Sequence, residues 1–315
     1  MKEQIKTNPA LRTLISVIAA ALLVIGSIFV FWNIFSHSLT RLEENAATNP
    51  SLLPPNPFTQ KLAGEEEGRI NVLILGISGD GYISGELTDS IIVASINPTQ
   101  GNGSLIGLPR DLWVETPDTS FMKINELYSL GGGTQEPDAS KAQLMREKVE
   151  QITGIPMHYV LVVDLDATSA AVEVIGGLTI DGVSYSAEEI NRFVRDRSTA
   201  GGDFDRMRRQ QQVILGVLRA MRGSDPQTLI SLYGVLSGHV STSAHATEML
   251  RFFEIGKSVD AERVSFHVIT PQTDGLLKSQ YHDVAGRNIY TIEPTAGATD
   301  YTAITAYISG ILEGS

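Results

Sequence analysis

One stretch constrains the fold of this chain more than any other. Asp205 to Arg222 contains no Pro, and no Gly except Gly216, so it reads as a helix. At about 3.6 residues per turn, Asp203, Arg206 and Gln210 share a face with Val213, Ile214, Val217 and Met221. Arg208, Gln212 and Arg219 fall on the outer face. The polar trio therefore lies on the side that must become core. Charges turned inward are costly without partners. The block from Arg195 to Gln210 carries five arginines and three acids in sixteen residues, with Gly201-Gly202 between its two halves. A polyanion would partner such a block: guanidinium groups match phosphate oxygens two at a time, and helix N-termini favour negative charge. A helix start carrying local ion pairs is the structural alternative, and the inward register weighs against it.

The rest of the chain makes this positive site local. The formal net charge is -12, so no broad basic surface is available for a phosphate backbone, and a nucleic-acid partner is excluded. Cysteine is absent, which removes disulfides and thiol chemistry and makes a structural zinc site a poor fit. His37, His158, His239, His245, His267 and His282 are scattered without metal-type spacing and read mostly as packing or surface residues.

The N-terminus sets the compartment. Leu14 to Trp32 is an uninterrupted run of apolar and small residues, about 28 Å long as a helix and so close to the thickness of a bilayer core. Lys2, Lys6 and Arg12 precede it, and Glu43 and Glu44 follow. The positive-inside rule puts residues 1–13 in the cytoplasm, the anchor at 14–35 and the remainder outside. A cleaved signal peptide is the competing reading, but the run is long and no small-x-small site follows it directly. Residues 36–69, with Pro54-Pro55-Asn56-Pro57 and Glu65-Glu66-Glu67, suit an extended linker.

Folded sequence is expected from about Ile70. Asn71 to Gly76, Ser90 to Ile96 and Ser104 to Leu108 are short apolar runs that suit buried strands, as are His158 to Asp164 and Arg263 to Ile269. Helical patterns occupy Ala139 to Thr153, Ala167 to Ile175, Ser243 to Lys257 and Tyr301 to Leu312. This alternation indicates a layered α/β domain. Loops at the strand ends collect chemistry. Thr88-Asp89-Ser90 follows a glycine-rich connection, Leu108-Pro109-Arg110-Asp111 ends a strand, and Lys123-Ile124-Asn125 enters a helix. A turn aspartate, an Arg110–Asp111 ion pair and an ordinary helix entry would account for each singly. Together they suggest a phosphate-ester or pyrophosphate site with a divalent cation.

Taken in order, these pieces resemble the LytR-CpsA-Psr family of bacterial cell-envelope proteins. They are Asn71-Val-Leu-Ile-Leu-Gly, Thr88-Asp-Ser, Ser95-Ile-Asn-Pro, Leu108-Pro-Arg-Asp, Lys123-Ile-Asn, Arg195-Asp-Arg and Gly202-Asp-Phe-Asp-Arg-Met-Arg-Arg-Gln-Gln. The core motifs span residues 70–222 of a domain at 70–315, and Gly275 to Pro294 resembles the family's closing segment. The resemblance implies a three-layer α/β/α sandwich around a mixed central sheet. It also implies a phosphotransferase that moves a glycopolymer from an undecaprenyl-pyrophosphate carrier to peptidoglycan, with Mg²⁺ and an apolar pocket for the lipid. By motif position, Asp89 and Asp203 would lie at the metal. Arg110, Arg195, Arg197, Arg206 and Gln210 would hold the pyrophosphate, and Asp89, Asp203 and Arg206 would serve catalysis, Asp203 as the candidate proton acceptor.

Two positions depart from the family pattern. Ser78 stands where many members carry Asp, and Leu87 where many carry Arg. Asp80 and Glu86, in the same loop, are candidates to replace the missing metal ligand. With water as acceptor the same site would be a polyprenyl-pyrophosphate hydrolase; without turnover it would be a binder of polyprenyl-linked glycans.

Overall fold

The computed structural model describes residues 61–80, 83–164, 166–193, 202–222, 231–232 and 234–314. The cytoplasmic segment 1–13, the anchor 14–35 and linker residues 36–60 lie outside the described residues, as do Arg195 and Arg197. Among the described helices, none is long and apolar enough to cross a membrane.

The apolar runs form strands. In chain order these are β1 (Ile70–Ile77), β2 (Thr88–Asn97), β3 (Asn102–Gly107), β4 (Trp113–Glu115), β5 (Phe121–Lys123), β6 (Tyr159–Val163), β7 (Leu178–Ile180), β8 (Val183–Tyr185), β9 (Val240–Thr242), β10 (Val264–Val268), β11 (Leu277–Val284) and β12 (Arg287–Pro294). The helices are α1 (Leu127–Leu130), α2 (Gln143–Thr153), α3 (Asp166–Ile175), α4 (Ala187–Phe193), α5 (Gly202–Arg222), α6 (Met249–Ser258) and α7 (Thr302–Glu313). Six strands build the central sheet in the order β10-β3-β2-β1-β6-β9. β1 runs parallel to β6 and β3 parallel to β10, while β2 is antiparallel to both β1 and β3. The sheet is therefore mixed, as expected.

Strand periodicity explains the three layers. Ile70, Val72 and Ile74 of β1 enter one apolar cluster, and Leu73, Leu75 and Ile77 enter the other. Residues of α3, α5 and α6 cover the first face, and residues of α2 and α7 cover the second. Each fully buried Leu or Ile contributes about 1.5–3 kcal/mol. A strand with both faces covered has to be apolar throughout, which is why β1 reads as a run rather than an alternation.

Residues 61–69, expected in the linker, belong to the folded domain. Leu62 is buried in the first core cluster, the Ala63 amide donates to the Tyr159 hydroxyl at 2.9 Å, and Glu65 pairs with Arg251 of α6. Composition misleads here because one apolar residue and one ion pair are enough to pin a turn-rich segment.

The helix that constrains the fold behaves as its register requires. Arg206 is 0% exposed and Gln210 1%, and Val213, Ile214 and Val217 join the core. It starts a turn earlier than its apolar pattern, at Gly202. A Cβ at Gly216 would meet Leu178 of β7 at 3.2 Å, so the glycine lets the β7–β8 hairpin close on the helix.

Candidate active site at the carboxyl edge of the sheet

Topology gathers the motifs at one edge. β1 and β3 end there, and antiparallel β2 begins there, so Ser78, Asp89 and Leu108-Pro109-Arg110 become neighbours. The first turns of α5 lie beneath the same edge: the Gln211 amide donates to the carbonyls of Leu105 at 3.1 Å and His267 at 2.9 Å. Asn125 ties the loops together. Its amide donates to the Arg110 carbonyl at 3.3 Å, and its carbonyl accepts from the Thr88 hydroxyl at 3.3 Å.

Arg110 is the hub. Its Nη1 pairs with Asp89 Oδ1, and its Nε lies 3.9 Å from Asp111 Oδ2 and 4.0 Å from Asp203 Oδ2. Burial opposes its charge, but Asp89, Asp203 and Asp111 outweigh that and hold the guanidinium above its ordinary value. Lys123 Nζ takes Asp111 Oδ1 at 2.6 Å. Arg206 Nη2 forms an ion pair with Asp203 Oδ1 at 2.7 Å and donates to the Asp89 carbonyl at 3.4 Å. The Ser90 hydroxyl donates to Gln210 Oε1 at 3.1 Å, and Gln210 Nε2 is buried without a partner among the described residues.

Six charged groups thus interlock, with acids Asp89, Asp111 and Asp203 facing cations Arg110, Arg206 and Lys123. The site residues sort by depth. Arg206 and Gln210 are fully buried and form the floor; Arg206 holds Asp203 and the β2 backbone in place. Arg110 and Asp203 keep 19% and 25% of their side chains exposed. Sequence reasoning found Asp89, Arg110, Asp203, Arg206 and Gln210, and the structure brings them together. It missed Gln211, whose signal was its place beside Gln210 on an otherwise apolar stripe. It also missed Asn125 as a tie between loops and Lys123 as the partner of Asp111.

The two departures are visible. Ser78 is 1% exposed and donates to Asp89 Oδ2 at 3.4 Å, so a hydroxyl fills the acid's place. Leu87 brings no charge. Among the described residues no three acids or histidines gather into a group that could hold a metal. Asp89 and Asp203 are the acids that would hold Mg²⁺, an ion often bound through one or two carboxylates with water and substrate phosphate as its remaining ligands. They do not form an all-protein cage.

Fold and site together define an α/β/α-layered protein with an arginine–carboxylate centre at its sheet edge. The LytR_cpsA_psr family model matches residues 28–189 and 185–296, and the chain belongs to that family. A relative from Bacillus licheniformis, named polyisoprenyl-teichoic acid–peptidoglycan teichoic acid transferase TagU, is 24% identical over 78% of this chain and 81% of its own length. Regulatory protein MsrR of Staphylococcus aureus is 28% identical over 57% of this chain and 58% of its own. Among solved structures, Bacillus subtilis TagV superposes with a TM-score of 0.58 at 24% identity, over 78% of this chain and 97% of that one. TagT bound to LI-WTA superposes at 0.55 with 17% identity, over 83% and 94%. These superpositions establish the shared fold.

Proposed function

We propose that the protein transfers a glycopolymer from a polyprenyl-pyrophosphate carrier to peptidoglycan, leaving a phosphodiester. The observation that carries this is the Asp89–Arg110–Asp203–Arg206 network, a locked arginine–carboxylate centre at the sheet edge of an acidic chain. Family membership and the transferase name of the TagU relative support the same reaction class. The expected anchor at 14–35 would hold the domain on the outer face of a bacterial plasma membrane, where a lipid-linked donor lies.

In this reaction an acceptor hydroxyl attacks the phosphorus next to the glycan. An O–P bond forms, the bridging P–O bond breaks, and polyprenyl phosphate leaves with the electron pair. Negative charge grows on the bridging oxygen, and Arg110 would meet it. Arg206 and Gln210 fix the geometry from below, and Arg195 and Arg197 would add cations from the segment preceding α5. Asp89 and Asp203 would hold Mg²⁺, which supplies further neutralisation of the pyrophosphate when bound. The test is release of polyprenyl phosphate with glycan joined to peptidoglycan fragments. Release without joining supports the hydrolase instead, and tight donor binding without release supports a binder.

A further inference from the structure

The proposed chemistry leaves one neighbour of the network unused, the β11–β12 hairpin. Its backbone is fixed to the loop that carries Arg110. The Ile292 amide donates to the Asp111 carbonyl at 2.9 Å, and Leu112 and Ile292 pair as parallel strand residues. Asp111 Oδ2 in turn lies 3.9 Å from Arg110 Nε. Because the pairing is parallel, the part of β12 that precedes Ile292 extends toward the Arg110 side of Leu112. Tyr290 stands two residues back, about 7 Å along the strand. A second contact steadies the hairpin: His282 stacks on Trp113 of β4, with ring centroids 4.9 Å apart and planes 11° apart. The turn is tight, with positive φ at Ala285 (+52) and Gly286 (+77), as a two-residue hairpin loop requires.

One face of this hairpin changes character along its length. At the base it is core, with Leu277 and Ile292 buried. Toward the tip the same face carries Tyr281 and Tyr290, paired directly across the strands. Their rings meet edge to face, with centroids 5.5 Å apart and planes 68° apart. Ser279 Oγ lies 3.1 Å from the Tyr290 hydroxyl, a hydrogen bond that fixes that ring. Yet Tyr281 is 60% exposed and Tyr290 37%. Cross-strand aromatic pairs steady hairpins, but that gain needs only the contact between the rings, not the open face of Tyr281. Two rings at a steep angle make a corner for one flat, half-apolar ring. A pyranose has that shape: its C–H face stacks on an aromatic face, and its hydroxyl and acetamido groups point to the rim. The next pair toward the tip, Asp283 opposite Asn288, is exposed on the same face and supplies polar groups there.

Charge selects among the sugars. Within Leu277–Pro294, Lys278 and Arg287 balance Asp283 and Glu293, and Lys278 pairs with Glu293 at 3.1 Å. The hairpin therefore offers no basic track to an anionic polymer, and its surface suits an uncharged run of N-acetylated hexoses. From this placement we infer that Tyr281 and Tyr290 form a subsite for the glycan backbone of the peptidoglycan acceptor, holding it beside the Arg110 centre. The inference rests on the transfer reading, which supplies the acceptor. The two tyrosines bind and position; the reacting bonds stay with the network.

The experiment uses the full chain in detergent. Soluble peptide-free peptidoglycan glycan fragments are titrated against its intrinsic fluorescence. Joined product is then measured while the fragments and a polyprenyl-pyrophosphate-linked disaccharide are varied in turn. Tyr281→Ala should weaken fragment binding about tenfold or more and raise the acceptor KM by the same factor, while kcat and the donor KM hold. Tyr290→Ala should act in the same direction. Tyr281→Phe, which keeps the ring face, should restore both fragment binding and the acceptor KM. A pair that only steadies the hairpin would shift the melting temperature without separating acceptor KM from kcat. The inference is overturned if Tyr281→Ala binds fragments as the wild type does, or if it raises the donor KM instead, which would place the donor's glycan on the hairpin. A wild-type protein that binds fragments through Tyr281 yet releases no polyprenyl phosphate retains the subsite and overturns the transfer reading.

Discussion

Arg110 Nη1 and Asp89 Oδ1 close an ion pair between the loop after β3 and the start of β2, joining two strand ends that the chain separates by twenty residues. The same guanidinium lies 4.0 Å from Asp203 of α5, so one side chain links sheet and helix. The pair leaves Arg110 rigid and still partly open.

Rigidity of that kind is what electrostatic catalysis requires, so Arg110 should resist conservative exchange. We expect Arg110→Lys, with one point charge in place of a planar fork, to lose about 10²–10³ in turnover. Steady-state release of polyprenyl phosphate checks this; a lysine variant within a few-fold of wild type would contradict it.

Asp203 has a structural duty as well. Its removal takes the carboxylate away from the fully buried Arg206 guanidinium. Asp203→Ala should lower the unfolding free energy by about 3 kcal/mol, and Asp203→Asn by clearly less. The double variant Asp203→Leu with Arg206→Met should regain most of the stability and none of the activity. Urea denaturation separates the cases.

Ser78 offers a gain-of-function test. Ser78→Asp sets a second carboxylate against Asp89, 3.4 Å from the present hydroxyl. Like charges should lower the melting temperature in chelator, and Mg²⁺ should then raise it more than in the wild type. Thermal melts with and without Mg²⁺ read this directly.

The domain's stability should fall in mild acid through His158. Its Nδ1 accepts the Asn71 amide at 2.9 Å, which requires the neutral ring, and burial holds its pKa below the ordinary value. The folded state thus favours the unprotonated form. The contribution is complete above about pH 6.5, the unfolded value, and is lost as pH falls toward the folded value. His158→Gln should flatten the slope of stability between about pH 7 and pH 5. An unchanged slope would show that other groups carry it.

Much of this was legible because the informative residues obey local rules. Buried strands must be apolar throughout, and α5 must show its inward face at helical spacing, so β1, β2, β3 and the Arg206–Gln210 floor could be read from the chain. What stayed hidden depends on long-range pairing. Asp164 and His239 meet only because β9 returns antiparallel to β6 across 75 positions of sequence. Each alone looks like a strand end and a scattered histidine. The β11–β12 hairpin was not read as strands either. Much of its surface is solvent-exposed, and an exposed hairpin has no need of an apolar run.

In the proposed mechanism the Arg110-centred network drives transfer from a pyrophosphate carrier. The most direct test incubates the full chain with a polyprenyl-pyrophosphate-linked glycan, Mg²⁺ and peptidoglycan fragments, and follows polyprenyl phosphate and joined glycan together. Both should appear in equal amounts in the wild type and neither with Arg110→Ala. Equal release and joining by Arg110→Ala, or release by the wild type with no joining, would contradict it.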